Sequence, residues 1–369
     1  MNLDKLGWNQ FFEDNFSQYK QNGNIPARII REHKNLYEII TENGELIGEV
    51  SGKMHYDAES RADYPAVGDW VTVAPLPGES KAVIHAILPR KSNFSRRAVL
   101  SGSDRYGGGD TDQQVLASNI DTVFIVCGLD GDFNVRRAER YLTIAWDGGA
   151  NPVIILNKSD ICDDIAEKVA AMESIAFGIP IHPVSAETNE GIDELRQYID
   201  EGKTVAFLGS SGVGKSSIIN CLIGAEKLKT GAVRDYDNKG RHTTTHRELI
   251  LLPEGGMVID TPGMREIQIW EDEEGLEKTF SDIEELSLQC RFRDCKHQDE
   301  PGCAVQKAIE DETLEQKRYQ SYLKLQRELQ RLSQRKNIME MRKSARARDK
   351  MISQHLKEIK EIKNGRSKY

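Results

Sequence analysis

Residues 204–224, TVAFLGSSGVGKSSIINCLIG, set five strand-forming residues directly before a glycine-rich turn and a helix-forming run. Gly209 to Ser216 fit G-x-x-x-x-G-K-S, and this context constrains the fold more than any other stretch. A strand that feeds such a loop belongs to a parallel sheet flanked by helices. In that pattern the backbone N–H groups of Ser211, Gly212, Val213, Gly214 and Lys215 wrap a β-phosphate. The Lys215 ammonium reaches the β- and γ-oxygens and the Ser216 hydroxyl ligates Mg²⁺, with Gly209, Ser210 and Ser217 completing the loop.

A second motif sits upstream of the first. VIILNKSD ends a strand at Asp160, at the carboxyl edge where such sheets bind ligands. The Asp160 carboxylate accepts from guanine N1–H and the 2-amino group, Asn157 reaches the O6/N7 edge, and the Lys158 stem covers the ring. Adenine would leave that carboxylate facing an acceptor, a penalty of several kcal/mol that selects guanine. SAE at residues 185–187 also follows a strand, where the Ala186 N–H is placed to bond O6 beside Ser185. VIDTPG supplies Asp260 for the Mg²⁺ water shell and Gly263, whose N–H meets the γ-phosphate. Between phosphate loop and VIDTPG lies NKGRHTTTH, a polar segment suited to a switch. One of Thr243, Thr244 and Thr245 is expected as a Mg²⁺ ligand; Thr244, the middle one, is the candidate, although spacing does not choose among them.

Base reader, second base loop, phosphate loop, threonine switch and aspartate switch form a cyclic rotation of the ordinary order of a GTP-binding domain. The sheet is kept while the chain ends move: the old termini join between IDELRQYID and TVAFLG, and new ends open beside TVFIV and after the aspartate switch. That central domain is expected over 119–270, with near-continuous apolar strands alternating with amphipathic helices.

On its N-terminal side the period changes. Residues 1–24 read as a short helical extension with Trp8, Phe11, Phe12 and Phe16 near one face. Over 25–95 come short β-rich runs with a hairpin signal at Asn43-Gly44, which predict a small closed barrel. An OB-fold and an SH3-like barrel share this periodicity. Residues 91–113, with three consecutive glycines at 107–109, read as a connector that resists packing, and 96–118 as the linker. Beyond the sheet, residues 271–316 read as a mostly helical, cysteine-bearing domain and 317–369 as a basic helical tail, where Tyr322, Leu325, Leu329 and Leu332 recur at helical spacing as a packing face.

Of six cysteines, Cys290, Cys295 and Cys303 crowd around His297 as C-x4-C-x-H-x5-C. Three thiolates and one imidazole close a tetrahedral Zn²⁺ shell with no vacant position, so one structural zinc per chain is expected. Cys127, Cys162 and Cys221 are scattered and read as packed thiols. Sparse cysteines suggest a reducing cytoplasm; no apolar run is long enough to span a bilayer, and the acidic, aromatic N-terminus is not a secretion signal. The net charge of −9 hides an asymmetry, since residues 317–369 carry seventeen Lys/Arg against five Asp/Glu. An acidic body with a basic tail meets a polyanion tail first.

The rotated order, together with GSSGVGKSS, GRHTTTHREL, DTPGMRE and CRFRDCKHQDEPGCAV, resembles the circularly permuted, ribosome small-subunit-dependent GTPases of the RsgA family over about residues 27–310. The resemblance implies a multidomain fold: an N-terminal OB-fold β-barrel, a central permuted α/β P-loop GTPase domain and a C-terminal mostly helical zinc-binding domain. It implies hydrolysis of GTP to GDP and phosphate, activation by the small (30S) ribosomal subunit and its rRNA, and action in late small-subunit maturation; separately, a monomer without membrane contact is expected. Met264 stands where many GTPases carry a water-orienting glutamine, and the resemblance nominates His242 for the catalytic role beside Lys215 and Thr244. The competing reading is a GTP-dependent binding switch for a protein partner, without rRNA contact.

Overall fold

The computed structural model of the chain describes residues 2–33, 36–99, 111–224, 247–260, 274–298 and 300–334. They divide into two units, one running to Asp260 and taking in Glu274–Glu285, the other beginning at Leu286.

In the first unit, β1 (Ile25–Glu32), β2 (Tyr37–Thr41), β3 (Gly44–Val50), β4 (Trp70–Pro75) and β5 (Lys81–Ile87) close in the order β1-β2-β3-β5-β4-β1. All pairs are antiparallel except β3–β5, which is parallel. That crossover makes the barrel an OB-fold, which the strand periodicity alone did not distinguish. Alternation along the strands fills it with Ala27, Ile29, Tyr37, Ile39, Val71, Val73, Ala82 and Ile84. The N-terminal segment contributes α1 (Gln10–Phe16), capped by the Asn9 side chain. Trp8 meets Trp70 of β4 edge-on with centroids 4.7 Å apart, and Phe12 lies 5.8 Å from the same ring. The aromatic residues of the extension are therefore its attachment to the barrel.

Residues read as a connector are partly a sheet. β6 (Asn93–Val99) and β7 (Thr111–Ser118) form an antiparallel pair, so the linker reading of 96–118 is corrected. Glycine content argued for a loop, yet the glycines at 107–109 fall outside the described residues, and the flanking segments satisfy each other's backbone groups in a ladder.

The remaining strands are β8 (Thr122–Gly128), β9 (Asn151–Asn157), β10 (Ile181–Val184), β11 (Thr204–Leu208), β12 (Glu248–Leu251) and β13 (Met257–Asp260), in the order β10-β9-β8-β11-β13-β12. All are parallel except β12, which runs antiparallel to β13. Every residue of β8 and of β11 is buried, as a two-sided sheet demands. Its helices include α3 (Val135–Asp147), α4 (Ile165–Glu173) and α5 (Lys215–Ile223), while α2 (Gly52–Asp57) follows β3 in the barrel. The helix Glu274–Thr279 packs on α3, where Gly275 N–H donates to Asp147 Oδ1 at 3.0 Å and the Thr143 and Thr279 hydroxyls meet at 3.2 Å. Residues 274–285 thus group with the sheet, although the sequence reading began the cysteine-bearing domain at 271.

Barrel and sheet are continuous, because β1 pairs with β12 at Arg31 and Glu248. Arg31 bonds Glu38 at 2.6 Å and also Glu248, while Arg247 bonds Glu32 at 2.7 Å. Beneath this seam lies Arg28, buried and holding Thr204 Oγ1 at 2.8 Å, the Asn119 carbonyl at 3.2 Å, the Gly68 carbonyl at 3.3 Å and the Leu6 carbonyl. Burial pushes its guanidinium down to about 10, against the pull of Asp121 and Asp69, so it remains charged at neutral pH.

The second unit holds the cysteine cluster, the helix Ala304–Glu310 and a helix over 316–334. Tyr322, Leu325, Leu329 and Leu332 are buried there, so the stripe is a packing face. No helix among the described residues is long and apolar enough to cross a membrane.

Candidate nucleotide site and metal cluster

Because β8, β9, β10, β11 and β13 are parallel neighbours, their carboxyl ends share one edge of the sheet. NKSD follows β9, SAE follows β10, the phosphate loop follows β11 and Asp260 ends β13. Adjacency in the sheet rather than along the chain assembles the site, which is why the rotated order costs nothing.

The phosphate loop runs from Gly209 into α5. Gly214 has φ +96°, and a Cβ there would lie 2.1 Å from Asn157 Nδ2. A Cβ on Gly209 would fall 2.4 Å from the Val126 carbonyl. Both positions need glycine because neighbouring strands crowd the turn. Lys215 Nζ donates to the Gly209 carbonyl at 2.7 Å and the Ser210 carbonyl at 2.5 Å. Ser216 and Ser217 stand half-buried in the first turn of α5. Asp260 is raised above the usual carboxylate range by burial, with Lys215 pulling against the shift. A cation held there would favour its ionised form.

Asn157 is buried and ties three loops together. Its Nδ2 donates to the Val213 carbonyl at 2.7 Å and its Oδ1 accepts from the Ala186 N–H at 3.1 Å. The sequence reading gave Asn157 to the base edge and Ala186 N–H to O6; here the two groups bond each other. Asp160 is exposed and accepts from Ser185 Oγ at 2.6 Å, an orienting bond that leaves Oδ2 at the edge. Lys158, at φ +72°, pairs with Asp130 Oδ2 at 2.5 Å. His242, Thr243, Thr244, Thr245, Gly263 and Met264 lie outside the described residues.

Sequence reasoning missed the turn after β8. Asp130 holds Lys158, and Arg137 of α3 donates to Ser210 Oγ of the phosphate loop at 2.6 Å. Neither contact has a signal in the sequence, where Arg137 is one charge on an amphipathic helix.

In the second unit the ligand atoms of Cys290, Cys295, His297 and Cys303 lie within 4.8 Å of one another. Cys290 Sγ is 3.9 Å from Cys303 Sγ, and His297 Nδ1 is 3.5 Å from Cys290 Sγ and 3.4 Å from Cys303 Sγ. Sulfurs and a nitrogen bound tetrahedrally to one zinc-sized ion stand about 3.5–3.8 Å apart, so this donor set fits such an ion. His297 Nε2 meets Ser287 Oγ at 3.2 Å, which turns Nδ1 toward the sulfurs. Its carbonyl accepts from Gln306 Nε2 at 2.5 Å and from the Tyr319 hydroxyl at 3.1 Å. Burial disfavours the Cys290 thiolate, but the N–H groups of Ala304 and Val305 and the neighbouring Cys303 and Cys295 thiols together outweigh it and lower the pKa. Cys127 behaves as a packed thiol, pushed up to about 12 by burial. Cys221 and Cys162 are only half-buried.

A family model described as "RsgA GTPase" matches residues 87–270, and one described as "50S ribosome-binding GTPase" matches residues 204–360. The second match begins at β11, the strand that delivers the phosphate loop. The chain is 51% identical over 310 residues to a small ribosomal subunit biogenesis GTPase RsgA 2 of Lactiplantibacillus plantarum, covering 84% of this chain and 85% of that one. It is 46% identical over 338 residues to a small ribosomal subunit biogenesis GTPase RsgA of Opitutus terrae, covering 89% and 90%. Among solved structures, YjeQ from Thermotoga maritima superposes with a TM-score of 0.63 at 29% identity, over 83% of this chain and 98% of that one.

Proposed function

The chain belongs to the RsgA GTPase family and is a GTP hydrolase, and from that premise we propose that it acts in biogenesis of the small ribosomal subunit, whose docking switches its hydrolysis on. The observation that carries the proposal is the shared strand edge, where NKSD, SAE, the phosphate loop and Asp260 converge in a chain whose relatives are named for that assembly.

GTP enters with guanine on Asp160, whose free oxygen and Ser185-oriented oxygen accept N1–H and the 2-amino group. Asn157 holds the base loop against the phosphate loop, so both ends of the nucleotide are read by one clamped frame. Lys215, steadied by the Ser210 carbonyl, turns its other N–H donors from the Gly209 carbonyl to the β- and γ-oxygens, and Ser216 and one switch threonine, Thr244 being the candidate, would hold Mg²⁺. Asp260 would accept from water around that ion, and Gly263 N–H meets the γ-phosphate. With methionine at 264 the isolated protein turns over slowly, and docking brings His242 toward the attacking water. Cys290, Cys295, His297 and Cys303 would hold one Zn²⁺ in a closed site, where the ion's role would be structural. The basic tail after Lys317 and the barrel meet rRNA.

The test is GTP turnover with purified small subunits, large subunits or neither, for the wild type, His242→Ala and a chain truncated after residue 316. Small subunits should stimulate the wild type, by an amount within the roughly 10³- to 10⁵-fold that a GTPase activator can supply. His242→Ala should bind GTP and subunits but lose most of the stimulation, and truncation should weaken binding and flatten its salt dependence. Stimulation by large subunits alone would favour the second family description, and none by either would favour a switch for a protein partner.

A further inference from the structure

The phosphate loop is held from outside by a residue that belongs to no nucleotide motif. Arg137 stands in the first turn of α3, where the Asn134 side chain accepts its backbone N–H at 3.0 Å. Its Nη1 donates both to Asp132 Oδ1 at 2.6 Å and to Ser210 Oγ at 2.6 Å. Ser210 in turn offers its carbonyl to Lys215 Nζ at 2.5 Å. Asp132, Arg137, Ser210 and Lys215 form an unbroken chain of bonds that ends on the ammonium serving the phosphates. The same turn reaches the other end of the site, because Asp132 N–H donates to Asp130 Oδ1 at 3.0 Å and Asp130 pairs with Lys158.

We infer that Arg137 is a positioning residue for GTP hydrolysis: by fixing Ser210 it fixes the carbonyl that aims Lys215 at the β- and γ-phosphate oxygens. The inference rests on reading the site as a GTP hydrolase and names a determinant of rate within it. An exposed Arg–Asp pair by itself would count for little, and both side chains are about a third exposed at 37% and 35%. The contact with Ser210 sets this pair apart, since a charge-assisted bond of 2.6 Å settles the rotamer of a loop serine whose own carbonyl carries the lysine. Without it the hydroxyl is free to rotate and the Ser210 peptide to tilt. Ground-state binding is spread over many loop N–H groups and tolerates that tilt. Transition-state charge on the bridging and leaving oxygens is met by one ammonium, and a misplaced ammonium lowers the rate more than the affinity.

The experiment measures single-turnover hydrolysis at saturating GTP, GDP affinity by calorimetry and melting temperature, on full-length wild type, Arg137→Gln, Arg137→Lys, Ser210→Ala and the Arg137→Gln/Ser210→Ala double variant. Arg137→Gln and Ser210→Ala should each slow the saturating rate about tenfold while GDP affinity stays within about twofold. Arg137→Lys should recover part of the rate, and the double variant should be no slower than the slower single one, because both remove the same bond. An unchanged rate in Arg137→Gln, losses that multiply in the double variant, or equal losses in rate and GDP affinity with a lowered melting temperature would each overturn the inference. Failure of the functional reading looks different: the wild type itself would not hydrolyse GTP.

Discussion

Arg28→Met removes the buried cation that holds the barrel, the N-terminal segment and the sheet together. Two effects oppose each other. Burial holds the guanidinium down to about 10 against the attraction of Asp121 and Asp69, so removing the cation returns about 3 kcal/mol, the balance of those opposing effects. Against this, the Leu6 and Asn119 carbonyls and the Thr204 hydroxyl lose their donor, each at about 1–3 kcal/mol when left unpaired. The Gly68 carbonyl keeps a second donor, Asn119 Nδ2 at 3.0 Å, and is spared. The guanidinium also lies 5.7 Å from the Trp70 ring centre, a cation–π contact of about 2 kcal/mol when desolvated. The losses, about 5–11 kcal/mol together, exceed the return, and the variant should be destabilised by about 2–8 kcal/mol. Urea unfolding followed by far-ultraviolet circular dichroism and by tryptophan fluorescence reads this out. For the variant the midpoint should fall by about 1–3 M and the two signals should separate as barrel and sheet lose their common tie. Arg28→Lys should fare little better, since one ammonium cannot span four acceptors. A change under about 0.5 kcal/mol, or a lysine variant equal to wild type, would refute the reasoning.

Asp160→Asn should weaken GDP binding by about 10²-fold or more and shift preference toward xanthine nucleotides with the fold intact, as calorimetry with both bases will show. Gly214→Ala, forced to φ +96° with a Cβ 2.1 Å from Asn157 Nδ2, should abolish nucleotide binding while far-ultraviolet dichroism stays native. Elemental analysis should find about one zinc per chain, and chelation should unfold the cysteine-bearing unit at a concentration that leaves the sheet folded. At the seam, burial alone would raise Glu38, but hydrogen bonds from His33 and Arg31 overcome it and its pKa is lowered from 4.5. Its contribution is therefore complete above about pH 4.5 and lost as pH falls through the lower folded value, a loss in urea stability that Glu38→Gln should flatten.

Features whose geometry is contained in a few consecutive residues were legible from the sequence. The phosphate loop, NKSD and the cysteine–histidine spacing each carry their own backbone path, so residue type and spacing suffice to name the chemistry. The strand runs were legible too, and with them the barrel and the parallel sheet. Partners far apart in the chain were not. Closure of the barrel as an OB-fold depended on β3 pairing parallel to β5, and the β6–β7 ladder stood in a segment whose glycines argued for a loop. The Arg137–Ser210 bond spans 73 residues and the Arg31–Glu248 bond 217. Arg28 shows the reason most directly. Strand alternation sends Ala27 and Ile29 into the barrel and Arg28 to its outside, where a sequence reading expects water. The tertiary structure covers that outer face with the N-terminal segment and the start of β11, whose carbonyl and hydroxyl oxygens take the place of solvent. Periodicity tells which side of a strand a residue occupies; only the packed chain tells what lies on that side.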